Sequence, residues 1–332
     1  MGTVSKYDIF ACPDCHAPLD AAMSADEGSV LCPGCGRKYG VYHGCADFVS
    51  SGSKSVDERA FYEKVYDGKN RGSGPPLHAE KLEGMWLSSL FRERAKVLER
   101  MGHLEGKTVL CIGNGDKEKE LYFSWLGARL IISDISLASM LAMRKKYEGG
   151  LGDIAFHAID AYRIPLKGAS VDIVYGWQMT HHLEDLPLFL REVKRVLKDG
   201  GIAVFVDNAY SPGWHKVKWG LLGPFIRFAH KKKGVSPRDL ELSKKGDYKE
   251  SFLKDTAITA GFRDFSAARE NLLLYVYTKA LRDVLNVSEI TKKNRVLYPI
   301  ARTLSRWDDI LCGKYAGFRD NRRNMVWSIR KG

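Results

Sequence analysis

No stretch of this sequence is long and apolar enough to cross a bilayer. The longest nearly apolar run, Trp219 to Ala229, contains Arg227 and falls well short of the roughly 20 residues that a spanning helix needs. The first residues include Lys6 and Asp8 where a secretory leader would carry an apolar core, so the chain is expected in the cytoplasm. Cysteine is scarce, at 7 in 332 residues, and four of those fall in paired CxxC knuckles, a pattern that fits disulfides poorly. The composition of a disordered chain is also missing. With 45% hydrophobic and 28% charged residues, the chain can bury a full core and hold a small domain beside a larger one. Most of the length lacks any basic excess. Lys+Arg against Asp+Glu number 3 and 6 over residues 1–50, 10 and 9 over 51–106, 13 and 13 over 107–210, and 26 and 12 over 211–332. The net charge of +12 therefore belongs to the last third.

What is present begins with those cysteines. Cys12-Pro13-Asp14-Cys15 and Cys32-Pro33-Gly34-Cys35 are spaced to bring four thiolates, Cys12, Cys15, Cys32 and Cys35, to one tetrahedral Zn2+. About fifty residues bury too little surface to be robust alone, so the metal is expected to supply much of the folding free energy. With its ligand shell complete, neighbouring His16 and Cys45 are not needed as ligands. The segment from Tyr7 to Val49, including Lys38-Tyr39-Gly40-Val41-Tyr42-His43-Gly44 and Asp47-Phe48-Val49, resembles the zinc-ribbon activator of tRNA, rRNA and release-factor methyltransferases. That activator is usually a separate protein. The resemblance implies a ribbon fused in cis, which could dock a protein partner.

A second signal lies between Thr108 and Ser136. An apolar run (Val109, Leu110, Cys111, Ile112) leads into Gly113-Asn114-Gly115, then a charged, helix-favouring segment, then a second apolar run from Arg129 that ends at Asp134. Strand, glycine turn, helix and strand with a terminal acid form the nucleotide-binding half of a doubly wound sheet. A carboxylate there can accept from both ribose hydroxyls, and glycines let the turn approach the ligand. The third glycine of a dinucleotide fingerprint is lacking, with Glu118 in its place and Glu120 nearby. Acids at a helix start repel a pyrophosphate, so a nucleoside without phosphate fits better. An ordinary strand-turn-helix without ligand is the bland alternative.

At these residues the chain resembles class I S-adenosylmethionine-dependent methyltransferases, with one departure. Cys111 stands where the family usually has an acid. Further on, Ile154 to Ile159 reads as a third strand ending in Asp160-Ala161, and Asp172 to Trp177 as a fourth. The sequence His181-His182-Leu183-Glu184-Asp185, then Arg195-Val196-Leu197-Lys198-Asp199-Gly200-Gly201, then the apolar Ile202 to Val206, resembles ubiquinone- and menaquinone-type methyltransferases. The fold implied is α/β, a doubly wound Rossmann-like seven-stranded sheet with a small N-terminal zinc ribbon and a C-terminal helical insertion. The expected division is a zinc ribbon over 1–50, a linker and N-terminal helical cover over 51–106, and a methyltransferase domain over 107–332 with a basic helical cap at about 211–320. The resemblance implies S-adenosylmethionine as cofactor, held by Gly113, Gly115, Asp134, Ile135, Asp160, Ala161 and Trp177, with Asp160 on the adenine amine. Tyr62, Tyr66 and Trp86 are candidates to cover the methionine end, or plain core.

A hydroxyl acceptor must lose a proton, and His181, His182 and Asp207 lie near strand ends where a base would serve. The fourth strand closes on Gly176-Trp177-Gln178 rather than Asn-Pro-Pro-Tyr, which disfavours methylation of a base amine. Residues 213–233 mix Trp214, Trp219, Phe225 and Phe228 with Lys231 to Lys233. That stretch suits peripheral contact with the inner face of a membrane, an RNA groove, or a substrate lid with solvated charges. The expected function is O-methylation of a sugar, lipid-linked glycan or related small molecule. The alternatives are an rRNA or tRNA methyltransferase and a non-catalytic activator or scaffold of the same fold.

Overall fold

A computed structural model describes residues 8–19, 28–50, 55–66, 76–87, 92–147, 153–215, 247–285, 294–319 and 321–332. Residues 51–54 of the expected linker, the Gly/Pro-rich stretch 67–75 and residues 216–233 of the basic, aromatic segment lie outside the described residues. No helix among the described residues is long and apolar enough to cross a membrane.

The ribbon is a small antiparallel sheet of β1 (Gly28–Leu31), β2 (Lys38–Tyr42) and β3 (Cys45–Ala46). Three helices follow: α1 (Val56–Tyr66), α2 (Ala79–Trp86) and α3 (Arg92–Met101). The helical cover expected over 51–106 is thus divided among these three helices. Next come β4 (Thr108–Cys111), α4 (Tyr122–Trp125), β5 (Arg129–Asp134), α5 (Leu137–Lys146), β6 (Ile154–Ala158), β7 (Val171–Trp177), α6 (Leu186–Val196) and β8 (Leu197–Ala209). The chain ends with α7 (Pro212–His215), β9 (Asp247–Tyr248), α8 (Glu250–Thr259), β10 (Asp264–Glu270), α9 (Leu273–Leu285), α10 (Leu297–Lys314), α11 (Ala316–Arg319) and β11 (Asn324–Arg330).

The main sheet has the order β10-β11-β8-β7-β4-β5-β6, with short β9 added alongside β8. Strands β6, β5, β4, β7 and β8 run parallel, whereas β11 is antiparallel to both β8 and β10. Alternation along β4 shows why helices cover both faces. Val109 and Cys111 pack with Trp86, Val97, Phe123, Met140 and Met143, whereas Leu110 and Ile112 pack with Phe189, Val193, Leu253 and the ribbon's Phe10 and Phe48.

Two local differences from the sequence expectation have physical causes. The strand expected from Ile202 begins at Leu197, because Gly200 N–H donates to Lys331 O and Lys331 N–H to Gly201 O, drawing the Asp199-Gly200-Gly201 turn into the ladder. A register shift between Val171 and Ile173 accommodates it, and Gly200 takes φ 74. The charged segment after Gly115 is no surface helix. It forms a single 3-10 turn, Lys119–Leu121, followed by four-residue α4, with Lys119 and Glu120 buried.

The ribbon closes one edge of the main sheet. Asp47 bridges Ala158 in parallel, Phe48 N–H donates to Ala158 O, and Ala46 N–H donates to His157 Nδ1 at 3.0 Å. On the same side Phe10 bridges Leu166, and Arg163 pairs with Asp14 at 2.8 Å. An open parallel edge would otherwise leave its donors and acceptors unpaired.

Candidate active site

The cysteine knuckles converge as their spacing requires. The four Sγ atoms of Cys12, Cys15, Cys32 and Cys35 lie within 4.8 Å of one another, with Cys12–Cys35 at 3.7 Å and Cys15–Cys32 at 3.4 Å. A tetrahedron with Zn–S of about 2.3 Å has edges of roughly 3.8 Å, so the donor set fits Zn2+. Cys45 is fully buried with Sγ 3.9 Å from Met140 O and takes no part. Tyr39 Oη sits 3.0 Å from Cys12 Sγ and donates to Asp14 Oδ2 at 2.7 Å, tying the first knuckle to β2.

At the carboxyl ends of β4, β5, β6 and β7 lies a cavity of about 480 Å3, within the usual range for small-ligand sites. Its rim is set by the glycine turn. Gly113 (φ +66) and Gly115 (φ +57) occupy the left-handed region, and a Cβ would come within 2.6 Å of Met179 Cβ at the first and 2.5 Å of Tyr66 Oη at the second. Asp134 ends β5, accepting from Gly115 N–H at 2.7 Å and Ser136 N–H at 3.0 Å. Burial pushes its carboxyl pKa up. Ile135, Ile159 and Ala161 give an apolar wall, and Trp177 closes the side beside β7. Gln178 follows with φ 54, a left-handed conformation that a non-glycine residue rarely holds without a local reason.

One wall is helix α1. It has no buried residue, so polar contacts hold it in place. Glu58 Oε1 lies 3.4 Å from His182 Nδ1, and Tyr62 Oη is 3.4 Å from the same ring. Arg59 donates to both Asp47 oxygens, at 3.0 and 2.7 Å, reaching back to the ribbon. Glu63 accepts from Leu137 N–H, Ala138 N–H and Ser136 Oγ at 2.8, 3.2 and 3.1 Å, capping α5 where the helix dipole favours an anion.

Of the residues singled out from sequence, Gly113, Gly115, Asp134, Ile135, Ala161, Trp177 and His182 line this cavity. Asp160 does not. It is 2% exposed, and its Oδ1 accepts from Tyr162 N–H and Ser55 Oγ. Asp207, a candidate base from sequence, lies outside the lining: its side chain is fully buried and Trp327 Nε1–H donates to Oδ2 at 2.9 Å. His181 is 3.6 Å from Asp207 and also outside the lining, so His182 is the histidine that faces the cavity. Tyr62 and Tyr66 line it as expected of cover residues, but Trp86 is core, stacked on Tyr122 with its indole N–H donated to Lys119 O. Sequence reading passed over Glu58, Lys119 and Tyr175, and gave Glu120 only a phosphate-repelling role; the fold brings all four to the same cavity.

The chain is similar to known proteins in two separate regions. Residues 110–205 match the methyltransferase domain family, and residues 7–42 the Trm112p-like protein family. Dimethylglycine N-methyltransferase of Parasynechococcus marenigrum is 28% identical over 204 residues, covering 60% of this chain and 71% of that protein. Demethylmenaquinone methyltransferase of Lactococcus lactis is 33% identical over 124 residues, covering 35% of this chain and 48% of that protein. Among solved structures, a chain from the complex between the Haloferax volcanii Trm112 methyltransferase activator and a methyltransferase is 15% identical. It covers 82% of this chain and 98% of that chain, with a TM-score of 0.47.

Proposed function

We propose that this chain, which joins a Trm112p-like zinc ribbon to an S-adenosylmethionine-dependent methyltransferase domain, methylates a hydroxyl oxygen of a sugar, lipid-linked glycan or related small molecule. His182 carries the reading: it lines the cavity, with the Glu58 carboxylate 3.4 Å from Nδ1. Bound S-adenosylmethionine supplies a methyl already activated on a sulfonium. The protein must then bind, align the acceptor and remove the hydroxyl proton. Asp134 is the group to hold the ribose hydroxyls, with Gly113 and Gly115 admitting the ligand to the strand ends. His182 takes the acceptor proton on Nε2 while Glu58 orients the ring and stabilises the imidazolium that forms. Tyr62 and Tyr66 on α1 keep water from that side.

An RNA acceptor is the second reading. The ribbon family and the basic last third, 26 Lys+Arg against 12 Asp+Glu, favour it. Incubation with radiolabelled S-adenosylmethionine and fractionated lysate separates the two. Label should enter a glycan, lipid or small-molecule fraction, and His182→Gln should abolish transfer while leaving S-adenosylhomocysteine affinity intact. Label in RNA, with binding that weakens steeply as salt rises, would transfer the assignment to the second reading.

A further inference from the structure

The floor of the cavity carries charge that the glycine turn and Asp134 do not explain. Lys119 and Glu120 are 9% and 2% exposed, yet both line the cavity. Their Nζ and Oε1 are 3.5 Å apart, and Lys119 Nζ lies 3.3 Å from the centre of the Trp177 ring. Glu120 Oε2 and the Tyr175 hydroxyl, both removed from water, have no hydrogen-bond partner among the described residues. A buried carboxylate oxygen left open is expensive, and such groups persist mainly where a bound species completes them. The fold itself is satisfied by simpler means: Cys111 and Tyr175 already pack into the core beside Phe123 and Trp86.

Position in the sheet says which part of a ligand arrives here. Asp134 ends β5, and the apolar residues Ile159 and Ala161 follow β6, whereas Cys111, Tyr175 and Trp177 belong to β4 and β7. A nucleoside with its ribose on Asp134 and its base toward β6 sends its 5′ substituent toward β4 and β7. In S-adenosylmethionine that substituent ends in an amino acid, one ammonium and one carboxylate on a single carbon.

We propose that Glu120 and Lys119 form a clamp for this zwitterion, Glu120 receiving the α-ammonium and Lys119 the α-carboxylate, with the Tyr175 hydroxyl completing the carboxylate's shell. The clamp rests on the methyltransferase reading and deepens it. Cys111 ends β4 without an acid, and Glu120 supplies a carboxylate to the same end of the cavity from the following turn. The clamp accounts for the 3-10 turn, since a regular surface helix would carry Lys119 and Glu120 into solvent. Burial pushes Lys119 down to about 7 and Glu120 up, because a low-dielectric site disfavours either charge standing alone. A zwitterion laid across the pair sets an opposite charge against each.

Calorimetry on the full chain, with ligands trimmed at the amino-acid end, tests this without relying on mutants. Wild-type protein should bind S-adenosylhomocysteine about tenfold or more tighter than its decarboxylated analogue, and 5′-methylthioadenosine, lacking both charges, more weakly still. Equal affinities for the three would overturn the clamp while leaving nucleoside binding intact. Failure to bind any of them would overturn the methyltransferase reading, and the clamp with it. In the variants, Glu120→Gln should weaken both amine-bearing ligands about tenfold, and Lys119→Met only S-adenosylhomocysteine. Each should leave 5′-methylthioadenosine within about twofold. A parallel loss of 5′-methylthioadenosine would mean that the pair only supports the scaffold, and would refute the assignment.

Discussion

Helix α1 offers the sharpest test of how ribbon and cavity are coupled. Because α1 buries no residue, its position over the cavity depends on a few polar contacts, each a large share of the whole. The strongest is Arg59 with Asp47, a bidentate pair at 3.0 and 2.7 Å whose side chains are 23% and 18% exposed. Charge-assisted bonds of this kind contribute roughly 1.5–3 kcal/mol when shielded from solvent. Taking about 2 kcal/mol, Arg59→Gln shifts the balance between seated and unseated α1 by roughly 30-fold. Apparent ligand affinity scales with the seated fraction, so S-adenosylhomocysteine should bind several-fold to about 30-fold more weakly, depending on how far the seated form is favoured at the start. Asp47→Asn removes the same pair, whereas Arg59→Gln also gives up the bond to Val49 O and the contact with Glu63, so the double variant should fall little beyond Arg59→Gln alone. Arg59→Lys should recover only part, because an ammonium cannot span both carboxylate oxygens. Titration calorimetry reads all four. Undiminished affinity in Arg59→Gln, or losses that add in the double variant, would refute the coupling.

Two further outcomes bear on parts of the molecule that sequence already marked. Purified protein should contain one Zn2+ per chain; Cys32→Ser should lose it while Cys45→Ser keeps it, by elemental analysis, and chelation should lower the melting temperature and weaken S-adenosylhomocysteine binding at least as far as Arg59→Gln. Gly115→Ala should cost about 1–2 kcal/mol in urea unfolding from its left-handed backbone and also lose ligand affinity, because its Cβ would meet Tyr66 Oη at 2.5 Å. Gly106→Ala, with φ +72 and nothing within 4 Å, is the control expected to share the first effect and not the second.

The parallel strands were legible because they are short apolar runs with recognisable ends, Asp134 a carboxylate that needs partners when buried and Gly113 a residue that takes a left-handed turn. The zinc knuckles were legible because metal geometry fixes spacing along the chain. What escaped depends on partners distant in sequence. Lys198 to Gly201 has the composition of a turn, and only the approach of Lys331 makes it part of β8. Trp86 is an aromatic at helical spacing either way; its place in the core follows from Tyr122, Phe123 and Lys119 O. Lys119 and Glu120 were the hardest. Charged residues after a glycine turn suggest solvent, and nothing local shows that Trp177, fifty-eight positions on, stands over the lysine.

These long-range contacts also explain why ribbon and methyltransferase domain are not independent beads. Asp47 stands where three demands meet: its backbone bridges Ala158 at the sheet edge, its carboxylate holds Arg59 on α1, and its strand neighbours Cys45 and Ala46 are buried between β2 and α5. Removing the ribbon would uncover the edge of β6, expose the apolar surface under Phe10 and Phe48, and release α1 from one of its principal anchors. An exposed parallel edge beside an apolar patch is an aggregation site. Zinc is therefore expected to act on the cavity without touching it, by keeping Asp47 where both the sheet edge and α1 need it.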